Sequence, residues 1–292
     1  MFDDIRKTKM IMFITPVVIW LLSGAAAEIL GLFWYGIFYR KAAGIETFDL
    51  FQALAVVHLK GEILLLTTRA VLSGIVFFIL YRRDKIRIQA ELYTQRSLKE
   101  KPEFFSEPPV GIKILPLIIL CGIGFSLAVN LIFQLSGLNS NHSILTIEAS
   151  IGLPEFQLIL LILLDTLIAP VSEELMNRGL IYKRMRTYQT VLMSEICACL
   201  VFALMHGDII SGIYAFIFGL LLTEIFENTR GLHYSIICHA AANITAVLLA
   251  LVPDLTKAVS RNRILYLIIG IVLFLIGRLG IAFITEKGRN HL

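Results

Sequence analysis

Long apolar runs, separated by short polar segments, dominate this chain. Eight of them cover about 10–39, 63–81, 112–135, 156–171, 190–206, 209–226, 232–252 and 264–285. The fourth continues into a polar helix that reaches about residue 185. Runs of this kind fit the ~20-residue helix that crosses ~30 Å of hydrocarbon. They do not alternate with a period of two, which excludes an outer-membrane barrel. The pattern predicts an all-α, polytopic membrane helix bundle of about eight transmembrane helices. The fourth and fifth runs are marginal in length, so short or tilted helices are expected there. The first run starts at Met10, after Arg6, Lys7 and Lys9, and extends to about Tyr39. That is too long for a signal-peptide core, so it reads as a retained first span.

Composition agrees. Of 292 residues, 57% are hydrophobic and 16% charged, and the mean hydropathy is +0.80. A soluble domain is nearer 45–50% apolar and about 25% charged. A soluble enzyme, a secreted disulfide scaffold, a nucleic-acid domain and a disordered chain are therefore excluded. Cys121, Cys197, Cys199 and Cys238 all sit inside apolar runs and read as fillers. Cys197 and Cys199 point to different faces of one helix, a poor metal clip or disulfide.

Charge sets the expected orientation. With the N-terminus inside, the inner segments hold seventeen Lys and Arg and the outer ones six. The positive-inside bias then places both termini in the cytoplasm, in a protein integral to the cell (plasma) membrane. The net charge of +4 belongs to topology, and no nucleic-acid partner is implied. Segment 82–111 is the longest soluble piece. Its first part reads as a helical extension of the second span, ended by Pro102, Pro108 and Pro109. Two regions follow: 1–150, N-terminal transmembrane helices with the cytoplasmic basic loop 82–111, and 151–292, a transmembrane core that carries the chemistry.

Ionisable residues inside apolar runs are costly and point to function. Asp165 lies in LILLDTLIAP, Glu173, Glu174 and Arg178 in PVSEELMNRGL, His206 at the end of VFALMH, and His239 and Asn243 in SIICHAAANI. Glu28 and Arg69 are the other isolated charges. Glu174 and Arg178 are i,i+4 with the acid first, the favourable order for a helical ion pair. That pairing consumes Glu174. Glu173 is rotated about 100° away, and its own i+4 neighbour, Asn177, cannot neutralise it. It is the available carboxylate. His239 and Asn243, also i,i+4, face one way and can donate to a single developing oxyanion. A carboxylate and an imidazole together can deprotonate a water. Singly, an intramembrane histidine usually serves helix–helix hydrogen bonding, and Phe202 reads as packing. The combination of two histidines, a spare glutamate and an asparagine is expensive without a function.

The order E-E-x-x-x-R (Glu173, Glu174, Arg178), F-x-x-x-H (Phe202, His206) and H-x-x-x-N (His239, Asn243) resembles the CPBP family of intramembrane proteases. This is the type II CAAX prenyl endopeptidase, or Abi, family. The likeness covers about 155–250. Asn177 stands where the family often has Phe, which bears on local packing. The resemblance implies a glutamate-dependent endopeptidase of the membrane, acting on a membrane-associated protein or peptide, CAAX-like or otherwise. Carried over by position, Glu173 and His206 activate a water, while His239 and Asn243 stabilise the oxyanion. Glu174 and Arg178 hold the motif helix. Glu173, His206 and His239 also form a possible zinc set with an open fourth position. There is no H-E-x-x-H, however, and water activation needs no metal, so a metal-free reaction is expected. Bacteriocin self-immunity and peptide maturation are family-level roles.

Two other classes compete. A proton-coupled transporter using Asp165, Glu173 and the histidines as a relay would be supported by inverted repeats, and none is visible. A non-catalytic scaffold or immunity protein would be supported by a degenerate motif, yet Glu173, His206, His239 and Asn243 are all present.

Overall fold

The computed structural model describes residues 2–60, 62–95, 110–138 and 155–289. Among these residues the secondary structure is helical throughout, joined by turns. Helix α1 (Phe2–Trp34) continues through a π-helical turn, Tyr35–Tyr39, to Ala42. Then come α2 (Leu50–Lys60), α3 (Glu62–Gln95) and α4 (Leu115–Leu135). Helix α5 covers 155–185 as one helical run whose hydrogen-bond register alternates between α and π. The remainder is α6 (Val191–Leu204), α7 (Ile209–Thr229), α8 (Leu232–Leu251), α9 (Pro253–Arg261) and α10 (Arg263–Arg289).

A helical membrane bundle fits this architecture, with one refinement. Among the described residues, six helices are long and apolar enough to cross a bilayer: Ile11–Ala42, Leu64–Ile86, Ile112–Leu135, Ile209–Thr229, Leu232–Leu251 and Arg263–Glu286. The other two expected spans are the marginal ones. Helix α6 has 14 residues, about 21 Å of rise, short of the ~30 Å hydrocarbon core. In α5 the apolar stretch gives way to Asp165, Glu173, Glu174 and Arg178, so the helix is half span and half polar site. The predicted extension of the second span is present as far as Gln95. Its proline-rich end lies outside the described residues.

Local sequence sets the helix ends around the site. Thr190 caps α6 by accepting from the Met193 amide. Asp208 caps α7, its Oδ1 accepting from the amides of Ile210 and Ser211. The turn before it needs Gly207, which has φ of +81°. Asp208 is thereby a structural residue.

The largest apolar cluster joins α4, α6, α7, α8 and α10 through Ile118, Phe125, Phe202, Phe218, Leu222, Cys238 and Ile281. A second cluster packs α5 against α3, α6 and α7 through Phe77, Met176, Leu180, Tyr182 and Phe226. The polar residues of α5, α6 and α8 meet between these two clusters.

Candidate active site

The site is built on α5. Arg178 and Glu174 are both fully buried, with Arg178 Nη1 2.8 Å from Glu174 Oε1. The arginine also donates to the Gly219 carbonyl (2.8 Å) and the Thr223 hydroxyl (3.4 Å) of α7. Its guanidinium carbon stands 4.9 Å from the Phe202 ring centre. Gly219 is required for this approach, because a Cβ there would lie 3.3 Å from Arg178 Nη2 and 3.1 Å from Cys199 Sγ. The pair therefore locks α5 to α6 and α7. A buried ion pair survives only with such supplementary hydrogen bonds.

The segment Leu175–Tyr182 is π-helical, a register common at functional sites. Asn177 is fully buried within it and donates from Nδ2 to the Glu173 carbonyl at 3.0 Å. Its amide thereby satisfies a main-chain acceptor in the middle of the helix.

Glu174 has a second partner. His239 Nδ1 lies 3.0 Å from Glu174 Oε1. A carboxylate only accepts, so Nδ1 carries the hydrogen and Nε2 faces away from Glu174. It faces Glu173, whose Oε2 is 3.8 Å from Nε2. That gap is too long for a direct hydrogen bond. The two adjacent glutamates thus address opposite nitrogens of one imidazole, Glu174 completely buried and Glu173 with 29% of its side chain open.

His206 lies in the turn just after α6 and is half-buried. Its Nδ1 is 2.7 Å from the Phe202 carbonyl. That carbonyl can only accept, so Nδ1 again donates and Nε2 offers its lone pair. Phe202 separates the two imidazoles, its ring centre 4.7 Å from that of His206 and 5.9 Å from that of His239. Phe218 stands edge-on to His239 on another side, at 5.1 Å. The packing expected of Phe202 is real, and it orients both histidines and Arg178.

Asn243, one turn beyond His239, donates from Nδ2 to the Asp165 carbonyl at 2.9 Å. Asp165 lies in the other π-helical stretch of α5, Leu164–Ile168. Its carboxylate is close enough to Glu173 and His239 to interact with both electrostatically.

His206 and His239 both pack on Phe202, and Asn243 bonds to Asp165 of the helix that carries Glu173. Glu173 stands against His239, whereas His206 is reached only across the Phe202 ring. Among the described residues, no three His, Cys, Asp or Glu side chains converge as metal ligands would. Two isolated charges that the sequence singled out, but without a role in the hydrolytic set, are neighbours of the site. One is Asp165, whose main chain takes the Asn243 amide. The other is Arg69 of α3, which feels the charge of Glu173. Arg69 is more than one hundred positions upstream of Glu173, and its isolated charge was the only signal.

Residues 155–245 match the family model described as Type II CAAX prenyl endopeptidase Rce1-like. The matched segment contains every residue of the three motifs and bears out the family resemblance they carry. No curated protein and no solved structure matches the chain.

Proposed function

We propose that this protein is an intramembrane, glutamate-dependent endopeptidase that hydrolyses a peptide bond in a membrane-associated protein or peptide. One observation carries the reading: Glu174 is spent on Arg178 and His239 Nδ1, while Glu173 remains as a partly open carboxylate 3.8 Å from His239 Nε2.

In this mechanism Glu173 takes a proton from water as the water oxygen attacks the substrate carbonyl carbon. His206 assists with the Nε2 lone pair that its Phe202 bond leaves free. The carbonyl oxygen becomes an oxyanion. His239 stabilises it from Nε2. Because Nδ1 is committed to Glu174, that nitrogen donates only when the ring is an imidazolium, whose charge the two glutamates flank. Asn243 contributes the amide hydrogen not given to Asp165, since its nitrogen carries two. The tetrahedral carbon then releases the amine, which takes the proton from Glu173, leaving a new carboxylic acid. Donors set in a desolvated site are effective stabilisers of such charge. No step requires a metal.

The test is cleavage of membrane peptides by purified protein in detergent, read by mass spectrometry beside a melting curve. Glu173→Gln keeps size and hydrogen bonding but cannot accept the proton. Cleavage should fall by about 10²–10⁴-fold, the usual contribution of a positioned base, with the melting temperature close to wild type. Near-wild-type cleavage by this variant would remove Glu173 as the base, whereas no cleavage by the wild type would favour a non-catalytic scaffold. Activity should also persist under strong chelation. Loss on chelation with recovery on adding zinc would move the reaction to a metal-assisted route.

A further inference from the structure

Arg69 belongs to the membrane-crossing part of α3, Leu64–Ile86. A charge at such depth is costly and is normally paired. Trp20 of α1 covers one face of it, with the guanidinium carbon 3.5 Å from the ring centre. Gly24, one turn along α1, faces the same group: a Cβ there would lie 3.6 Å from Arg69 Nε. Nε is buried and has no hydrogen-bond partner. Arg69 makes no ion pair among the described residues, although it feels the charges of Glu173 and Glu28.

The position of this turn is fixed. The Ser73 hydroxyl is 2.7 Å from the Arg69 carbonyl and 2.9 Å from the hydroxyl of Ser172, the residue before Glu173. Gly74 faces Ser172 as well, at 3.6 Å from a built Cβ to the serine Cβ. The helix that carries Arg69 is thus bonded to α5 beside the candidate base, while the guanidinium Nε has no acceptor among the described residues.

We propose that Arg69 binds a carboxylate of the peptide substrate and so sets the position of the cleaved bond relative to Glu173. This rests on the proteolytic reading above. An arginine fork matches a carboxylate in two parallel hydrogen bonds. Trp20 holds the group by its face and leaves the edge for such a ligand. A doubly charged phosphate would meet twice the repulsion from Glu173, which favours a singly charged group. The carboxylate is supplied by the peptide's C-terminus or by an acidic side chain.

Three mixtures of N-acetylated apolar decapeptides separate these sources: free acids, C-terminal amides, and amides with one internal aspartate. They are tested with wild type, Arg69→Met and Arg69→Lys, by cleavage and by ligand-induced melting shift. Wild type is expected to show at least a tenfold lower KM for one carboxylate-bearing mixture than for plain amides, and a melting shift with that mixture alone. Arg69→Met should lose both distinctions. Arg69→Lys should recover part of the preference, since it restores charge without the fork. If wild type treats the three mixtures alike in both readouts, the proposal is overturned. It is also overturned if Arg69→Met keeps the preference, or lowers melting temperature and kcat on all mixtures together, which marks a purely structural arginine. A carboxylate-dependent melting shift without cleavage would uphold Arg69 as the binding residue and refute proteolysis instead.

Discussion

The two sides of the bundle are held together by different means. On one side α4, α8 and α10 meet backbone to backbone. A Cβ on Gly124 would run into the Phe274 amide, one on Gly122 into the Cys238 carbonyl, and one on Gly270 or Gly277 would come within 2.8 Å of the α4 main chain. Small residues of this kind allow close helix packing in membranes, where the hydrophobic effect does not separate lipid from protein contacts. On the other side α1 meets α2 and α3 through side chains, such as Val57 and Leu65 around Gly31 and Trp20 on Arg69. Much of their surface is open, with Leu22, Phe33 and Ile79 all about 60% exposed or more, but α10 is as open at Leu279 and Phe283, so the two sides differ in their contacts and not in exposure. Their links to α5 combine the apolar packing around Phe77 with polar bonds: Arg184 to Asp84 at 2.6 Å, Arg184 to the Met12 carbonyl at 2.8 Å, and Ser73 to Ser172. Interlocked backbones cannot slide without collision, whereas polar links and long side chains can re-form. The site lies where the rigid side meets the adjustable one. His239 belongs to the rigid side and Arg69 to the adjustable one, with Glu173 between them.

The largest effect is expected where the backbones touch. Gly124→Val places a branched side chain against the main chain of α10, where nothing can rotate away. Overpacking normally costs about 1–3 kcal/mol, and contact with backbone should exceed that range. The variant should fail to accumulate as a monodisperse species on size-exclusion chromatography. A well-behaved Gly124→Val protein with a wild-type melting curve would dissolve the proposed contrast.

An intermediate effect belongs to the lock between the sides. Glu174→Gln leaves Arg178 buried without its counter-charge and weakens the bond to His239 Nδ1. Breaking one side of a buried pair costs about 3–5 kcal/mol. The variant should melt well below wild type and lose cleavage as well, in contrast to Glu173→Gln. Equal melting of the two glutamine variants would mean that the adjacent acids are not divided between support and chemistry.

That division was visible in the sequence because it depends on helix geometry alone. The i,i+4 spacing paired Glu174 with Arg178, and the 100° rotation freed Glu173. Hydropathy likewise located the long helices and flagged α5 and α6 as marginal. Three features were not legible, each for a physical reason. The π turns of α5 are changes of hydrogen-bond register that leave no mark on side-chain pattern. The bond from His239 to Glu174 rather than to Glu173 depends on how α8 rotates against α5, which their separate periodicities do not determine. The nearness of Arg69 to Glu173 is a long-range contact between regions that motif reading treated apart.

The smallest effect tests the adjustable side directly. Gly36 lies in the π-helical turn Tyr35–Tyr39 that continues α1, and a Cβ built there meets nothing within 4 Å. Its φ is negative, since Arg230, Gly44, Gly137 and Gly207 are the positive-φ residues among those described. An alanine therefore fits without strain and removes backbone freedom from the unfolded chain, a gain of roughly 0.5–1 kcal/mol. Gly36→Ala should raise the melting temperature by about 1–3 °C and leave cleavage unchanged. The sign is the informative part. The same kind of addition, a methyl-bearing side chain for a hydrogen, is ruinous at Gly124 and mildly favourable at Gly36. A melting temperature lowered by Gly36→Ala would show that α1 is as tightly embraced as α10, and the adjustable side would have to be sought elsewhere in the bundle.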